Sequence, residues 1–362
     1  FQLDAQKAEA QFILGGSYLN VEKNREAIQF LEASHQASDR WALADEVLML
    51  LAEAHQRSKN NAKAKETLEL LLQKYPNSRL KAQVEYKLAQ LSAAMGELDD
   101  AIQRYRSVVG DSAANGFHHF AAYGIAWCLM QQDEYAQALE MLQPLVKQQP
   151  RDTIADEAQL AIGVCQRKLG QLDKAVESLQ KFLATSPSGA SLANGLYEIG
   201  LAYTELGQLE QANAQFQRIV DDYPSYPSMD KVLYELAWNH QESDRAEKAA
   251  EFFDRLADTF PGSEYAGEAR YMQAERLYEA KEFEGAAALY ESVLKDSDDD
   301  PLLEKAQYKL GWSQYQRQQY EQAAAQFSRQ TQRFPEGPLA VDALFMQGEC
   351  AFKQERYDDA LR

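Results

Sequence analysis

Apolar residues recur along this chain at spacings of three and four with polar residues between them, the pattern of helices buried along one face. The pattern itself returns every 37 residues. Ten alanines mark the step: Ala27, Ala64, Ala101, Ala138, Ala175, Ala212, Ala249, Ala286, Ala323 and Ala360. Twelve residues before each stands a glycine or alanine: Gly15, Ala52, Ala89, Ala126, Gly163, Gly200, Ala237, Ala274, Gly311 and Gly348. Ten matched pairs in one register define a tandem repeat.

With the glycine or alanine at position 8 and the alanine at position 20, each unit reads as two helices. Position 5 is large and mostly aromatic (Phe12, Tyr86, Tyr197, Tyr308), position 7 is mostly Leu or Ile, and position 24 is large (Leu31, Tyr105, Phe216, Phe327). Helix A is expected to end near position 14. A polar turn follows, with glycine in Gly96, Gly170 and Gly207, and helix B then runs to about position 30. Proline at position 32 (Pro76, Pro150, Pro187, Pro224, Pro261, Pro335) stops helix B, because it has no N–H and disfavours the helical region for the residue before it. Ser78, Asp152 and Ser263 are expected to cap the next helix, and Pro301 and Pro338 to sit in first turns. Glycine inside a helix costs about 1 kcal/mol relative to alanine. Its recurrence at position 8 predicts a close helix crossing, with the position-20 alanine facing it.

Taken together, an aromatic at position 5, Leu or Ile at 7, Gly or Ala at 8, an apolar residue at 17, alanine at 20, a large residue at 24 and proline at 32 resemble the tetratricopeptide repeat. Tyr197, Ile199, Gly200, Leu209, Ala212, Phe216 and Pro224 show the full set. That repeat has a period of about 34 residues. Here the excess falls after the proline and is expected to lengthen helix A by nearly one turn. The resemblance covers the whole chain. It implies an all-α fold, a right-handed superhelical solenoid of antiparallel helix pairs, forming a single array over residues 1–362. About ten units are expected, the last incomplete. The chain starts inside a repeat and stops a few residues into a helix, so it is expected to be a fragment of a longer array. The connectors Tyr75-Pro76-Asn77-Ser78, Tyr223-Pro224-Ser225 and Phe260-Pro261-Gly262-Ser263 resemble those of bacterial cell-envelope members, the outer-membrane assembly lipoproteins and the Tol–Pal-associated periplasmic protein. This implies a periplasmic or outer-membrane-associated location, with the cytoplasm as the alternative.

Composition narrows the chemistry. Hydrophobic residues make up 45% of the chain, enough for a continuous core, and the net charge is −19. Acidity repels phosphate backbones and disfavours nucleic acid, whereas a basic or amphipathic protein or peptide partner fits. The longest nearly apolar stretch, Phe120 to Met130, falls short of the roughly 20 residues a membrane span needs. Cys128, Cys165 and Cys350 share one slot in three units and read as small buried side chains. His55 and His240 read as core residues, and the adjacent His118 and His119 diverge too far to share a metal. The acidic run Asp296, Asp298, Asp299 and Asp300 lacks the glycine and terminal glutamate of a calcium loop. No catalytic, cofactor or metal site is predicted, and the chain reads as non-enzymatic.

In the family that the repeat resembles, A helices line a concave groove through positions 2, 5, 6, 9, 12 and 13. Two aromatic clusters fall on those positions. The first is Phe120, Tyr123, Trp127 and Met130, continued by Val164 and Leu201. The second is Trp238, Tyr278, Trp312, Tyr315 and Phe352. Trp127, Trp238 and Trp312 all stand at position 9. Grouped aromatics are binding anchors if exposed, or core if the helices bury them. Lys305 and Lys309 occupy positions where some family members clamp a carboxylate, but Met272 and Glu235 break that pattern. The expected function is a scaffold holding peptide segments or helices in the groove. The alternatives are a spacer or self-assembling strut, and a regulatory or targeting module of an enzyme whose catalytic domain lies elsewhere.

Overall fold

A computed structural model describes residues 2–111, 116–147, 153–296 and 300–361, and every regular element in them is helical. The chain divides into two compact units, Phe1–Ser186 and Pro187–Arg362. The first contains α1 (Gln2–Asn20), α2 (Asn24–Ala37), α3 (Ala44–Arg57), α4 (Asn61–Lys74), α5 (Lys81–Ala94), α6 (Leu98–Gly110), α7 (His118–Gln131), α8 (Tyr135–Leu142), α9 (Thr153–Lys168) and α10 (Leu172–Leu183). The second contains α11 (Gly189–Glu205), α12 (Leu209–Asp222), α13 (Met229–Glu242), α14 (Ala246–Thr259), α15 (Ala266–Glu279), α16 (Phe283–Asp296), α17 (Asp300–Gln316), α18 (Tyr320–Arg333), α19 (Ala340–Lys353) and α20 (Tyr357–Ala360). Odd-numbered elements are the A helices and even-numbered ones the B helices. Within each unit every helix packs against the next.

All ten A helices end in the same way. Position 15 has positive φ in every copy: Glu22, Lys59, Gly96, Asp133, Gly170, Gly207, Asp244, Lys281, Gln318 and Glu355. The N–H that follows donates to the carbonyl of position 11, as in Lys23 to Tyr18 (2.9 Å), Gln208 to Tyr203 (2.8 Å) and Arg356 to Ala351 (2.9 Å). This is the Schellman arrangement, in which a left-handed residue satisfies the last helical carbonyls and reverses the chain. Glycine fills only three of the ten positions, so the turn geometry is imposed by packing as much as by local sequence.

Positions 20 and 24 form the core. The alanines from Ala27 to Ala323 are buried, and so are Leu31, Leu68, Leu179, Phe216, Phe253, Tyr290 and Phe327. The crossing differs from the sequence expectation in one respect. A Cβ on Gly15 would lie 2.6 Å from Leu31 Cγ, and one on Gly163 2.5 Å from Leu179 Cγ. The distances are 2.5 Å from Gly200 to Phe216 Cε1 and 2.7 Å from Gly311 to Phe327 Cε1. The glycine therefore makes room for the large position-24 side chain, and the alanine of position 20 is not its nearest neighbour.

The extra residues of the repeat also act differently from expectation. Helix A is lengthened only in some units, as in α9, α11 and α17, which have 16, 17 and 17 residues. In α3, α5, α13, α15 and α19 it has 14. After α4, α12, α14 and α18 the excess forms two successive turns instead. In each, position 34 donates to position 31 and position 37 donates to position 34, as in Ser78 to Tyr75 and Lys81 to Ser78. A carboxylate at position 1 secures several of these connectors. Ser78 Oγ donates to Asp45 Oδ2 (2.5 Å) and accepts from the Leu80 N–H (3.0 Å). Ser263 Oγ repeats this with Asp230 (2.7 Å) and Tyr265 N–H (3.2 Å). Where position 34 is Gly337, the longer Glu304 reaches the Leu339 N–H directly (3.1 Å) and also accepts from Gln330 Nε2 (3.2 Å). Ser78 and Ser263 thus close a turn before the helix and do not cap it. Pro338 precedes α19, whereas Pro301 does lie in the first turn of α17. Pro150 and Asp152 lie outside the described residues.

Candidate functional site: the A-helix face

In the first unit, α7 carries Phe120 and Trp127 two turns apart, each 42% exposed. Phe120 leans edge-on against Tyr86 of α5, with ring centroids 6.4 Å apart. Tyr123 and Met130 are half-buried against the core, and Val164 is half-buried on α9. Burial, and then the charge of Glu157, push the Tyr123 phenol up to about 12. Between the two exposed rings Gly124 is covered, because Tyr105 of α6 lies where its Cβ would be, at 2.5 Å. The face therefore offers two separate aromatic anchors instead of a continuous stripe.

The shared tryptophan slot has different environments in the second unit. Trp238 meets Phe253 edge-on at 5.6 Å and Tyr234 at 6.3 Å. Trp312 packs among Tyr308 (6.4 Å), Tyr315 (5.6 Å) and Phe327 (6.5 Å). Both are half-buried. The difference from Trp127 lies at position 24. Phe253 and Phe327 supply ring surfaces there, whereas the repeat of Trp127 has Leu142. Leu201 on α11 is half-buried, and Phe352 on α19 is 54% exposed beside Tyr357 (5.6 Å). The first predicted cluster is thus divided, with Leu201 in the second unit and the rest in the first.

Two polar arrangements on the second unit were not picked out by sequence pattern. Lys309 Nζ lies 2.7 Å from Glu275 Oε2 and 5.1 Å from the centroid of Tyr278. The Tyr290 hydroxyl, rising from α16, donates to the other Glu275 oxygen. Lys309 is thereby engaged within the unit. In the other, Tyr197 lies 6.3 Å from Tyr226, Tyr234 lies 4.4 Å from Tyr265, and Tyr234 Oη donates to Glu268 Oε2 at 2.7 Å. Burial pushes the Tyr197 phenol up, and the charges of Glu235 and Glu198 push it further. Burial and Glu198 raise Tyr226 to about 12. The Tyr226 hydroxyl donates to Asn194 Oδ1 at 3.0 Å. Position-5 tyrosines read as core in a repeat pattern, and that pattern does not mark the cluster.

An apolar cavity of about 1050 Å³ lies between α18, α19 and α20, lined by Val341, Leu344, Phe345, Phe352, Tyr357 and Leu361 among others. Gly348 is among the residues that line it. His55 and His240 are buried as the pattern implied, and His240 stacks on Phe252 with centroids 5.5 Å apart. The three cysteines are buried and unpaired. Asp296 pairs with Arg270 at 2.9 Å, while Asp298 and Asp299 lie outside the described residues. Among the described residues no group of three or more His, Cys, Asp or Glu side chains could hold a metal, and no helix is long and apolar enough to cross a membrane.

Comparison with known proteins places this face in context. Residues 308–362 match a tetratricopeptide-repeat family and residues 29–152 match the Iml2/tetratricopeptide repeat protein 39 family. Residues 118–270 match YfiO, an outer-membrane lipoprotein family. No curated protein sequence matches the chain. Among solved structures, a tetratricopeptide repeat protein from Parabacteroides merdae superposes with TM-score 0.55 at 15% identity, over 73% of this chain and 97% of that one. PilW, a type IV pilus biogenesis factor, gives TM-score 0.52 at 19% identity over 62% of this chain and 98% of its own. The apo quorum sensor NprR of B. thuringiensis gives 0.57 at 15% identity over 94% and 99%. At such identities these likenesses speak for the fold alone. Repeat signature, helix pairing and the family matches over parts of the chain agree: it resembles tetratricopeptide-repeat proteins.

Proposed function

We propose that this chain is a non-enzymatic scaffold that holds basic or amphipathic protein segments on its A-helix face, within a bacterial envelope complex. The observation that carries the reading is the pair Phe120 and Trp127. They are large aromatics, each 42% exposed, on a face whose other aromatics are mostly half-buried. Exposed aromatic anchors beside half-buried neighbours supply contact area at low entropic cost. The envelope setting draws support from the lipoprotein-family match, which begins at the first residue of α7.

A photo-crosslinking residue at position 127, compared with one at the exposed Glu140 of α8, tests the reading in living cells. Protein adducts are expected from position 127 and not from 140. Equal labelling from both, or none from 127, would remove the A-helix face as the binding surface. Fractionation of the same cells tests the location: recovery in the cytosolic fraction would overturn the envelope assignment.

A further inference from the structure

On a helix that turns about 100° per residue, positions 2, 6, 9 and 13 of a repeat fall within an arc of about 60° and form one stripe. On α7 the stripe is Phe120, Gly124, Trp127 and Gln131. Its two aromatics are exposed and lie within about 20° of each other around the helix. Helix α7 touches both α5 and α9. Across the stripes of these three helices the charged residues are Lys87, Glu157 and Lys168. Glu157 already has a partner, whereas neither lysine makes an ion pair or hydrogen bond among the described residues. Lys168 is exposed, and the half-buried Lys87 keeps its ammonium in reach of solvent. On α11, α13 and α15 the same positions hold seven glutamates and one lysine.

A ligand for the α7 surface therefore needs apolar residues two helical turns apart with negative charge beside them. Phe120 and Trp127 are seven residues apart, about 10 Å along α7. A helix lying along α7 repeats that distance between its own residues i and i+7, with i+3 or i+4 over Gly124, which has no side chain to obstruct it. A β-strand does not repeat it, since its same-face residues fall about 6.6 and about 13 Å apart. The unpaired lysines choose the flanks of that helix. Carboxylates there gain charge-assisted contacts, whereas a lysine-rich helix meets like charge. The glutamates of α11, α13 and α15 disfavour the acidic helix on those elements.

We propose that the A-helix face at α7 binds an amphipathic helix of a partner protein, its apolar stripe covering Phe120 and Trp127 and its flanking carboxylates facing Lys87 and Lys168. This rests on the scaffold reading and narrows its partner to an amphipathic segment with acidic flanks.

The test uses residues 1–362 and two fluorescent peptides that share one leucine stripe at helical spacing, with glutamate on the polar face of one and lysine on that of the other. An aromatic photo-crosslinking residue at position 127 reports contact at this site. The glutamate peptide is expected to label it, and the lysine peptide to label it about fivefold less. Anisotropy of the glutamate peptide should show saturable binding that weakens about fivefold in Lys87→Gln/Lys168→Gln and about tenfold in Trp127→Ala. Lys63→Gln/Lys174→Gln, which neutralises two exposed lysines on the B helices α4 and α10, should leave it unchanged. The glutamate peptide with its helix broken by central prolines should not compete. Circular dichroism checks the fold of each variant; if Trp127→Ala unfolds, the lysine variants and the labelling comparison decide. Equal labelling by both peptides, or none by the glutamate peptide, overturns the proposal. So does equal loss in both lysine pairs, or full competition by the proline-broken peptide. Cellular adducts at position 127 that persist in any of these cases leave the scaffold standing, and their absence removes both readings.

Discussion

At the residue scale, the repeat is organised by what covers position 8. A glycine there accepts the Leu or Phe of position 24, and a Cβ on Gly200 would stand 2.5 Å from the Phe216 ring. Alanine has the better helix propensity by about 1 kcal/mol, whereas overpacking a filled core costs about 1–3 kcal/mol. Gly200→Ala is therefore expected to destabilise the protein, and Phe216→Ala, which empties the site, to cost about 3–5 kcal/mol. In the Phe216→Ala background the clash is gone, so adding Gly200→Ala should turn stabilising. Urea unfolding of the four proteins reads this coupling directly, and additive effects would refute the close contact.

At the element scale, turn and connector repeat as faithfully as the helices. Position 15 is left-handed in ten copies, yet seven are not glycine. A side chain in that conformation costs roughly 1 kcal/mol. Lys281→Gly should accordingly raise thermal stability, offset in part by the added freedom of the unfolded chain, while Gly207→Ala should lower it. A calorimetric scan in which both variants melt below the parent would contradict the assigned backbone. The connector makes a sharper prediction. A Cβ on Gly337 would run into the Glu304 carboxylate, so Gly337→Ser alone is disfavoured. Glu304→Asp alone shortens the reach to the Leu339 N–H. Together the two changes recreate the Asp–Ser pair seen at Asp45–Ser78 and Asp230–Ser263. The double variant is expected to be more stable than either single one, and a strictly additive result would show the pair does not act as a unit.

At the scale of the whole molecule, the division of charge matters more than its total. A formal −15 on residues 187–362 opposes compaction by self-repulsion, and added salt screens it. Produced separately, this half should gain markedly more thermal stability between low and moderate salt than residues 1–186, whose formal charge is −4. Equal salt responses would mean that local ion pairs, such as Lys65 with Asp100 at 3.0 Å and Arg104 with Asp100 at 2.9 Å, dominate over net charge.

The period, the helix pairs, the prolines that end B helices and the buried His and Cys slots were all legible in the sequence, because each depends on residues within a few turns of one another. The left-handed turn was legible only where glycine marks it, at Gly96, Gly170 and Gly207. The partner of position 8 was not legible there. It lies sixteen residues on, where a helix pattern says which side is apolar but not which side chain arrives. The tryptophans show the same limit. Trp127, Trp238 and Trp312 are equivalent in register, yet of the three only Trp127 is exposed, since how closely neighbouring rings approach the indole is a matter of packing. The sequence alone determined that this chain is a stack of helix pairs, through periodicity and local backbone preference. Which of its aromatic side chains remain exposed was decided by tertiary structure, because exposure depends on neighbours about one repeat away.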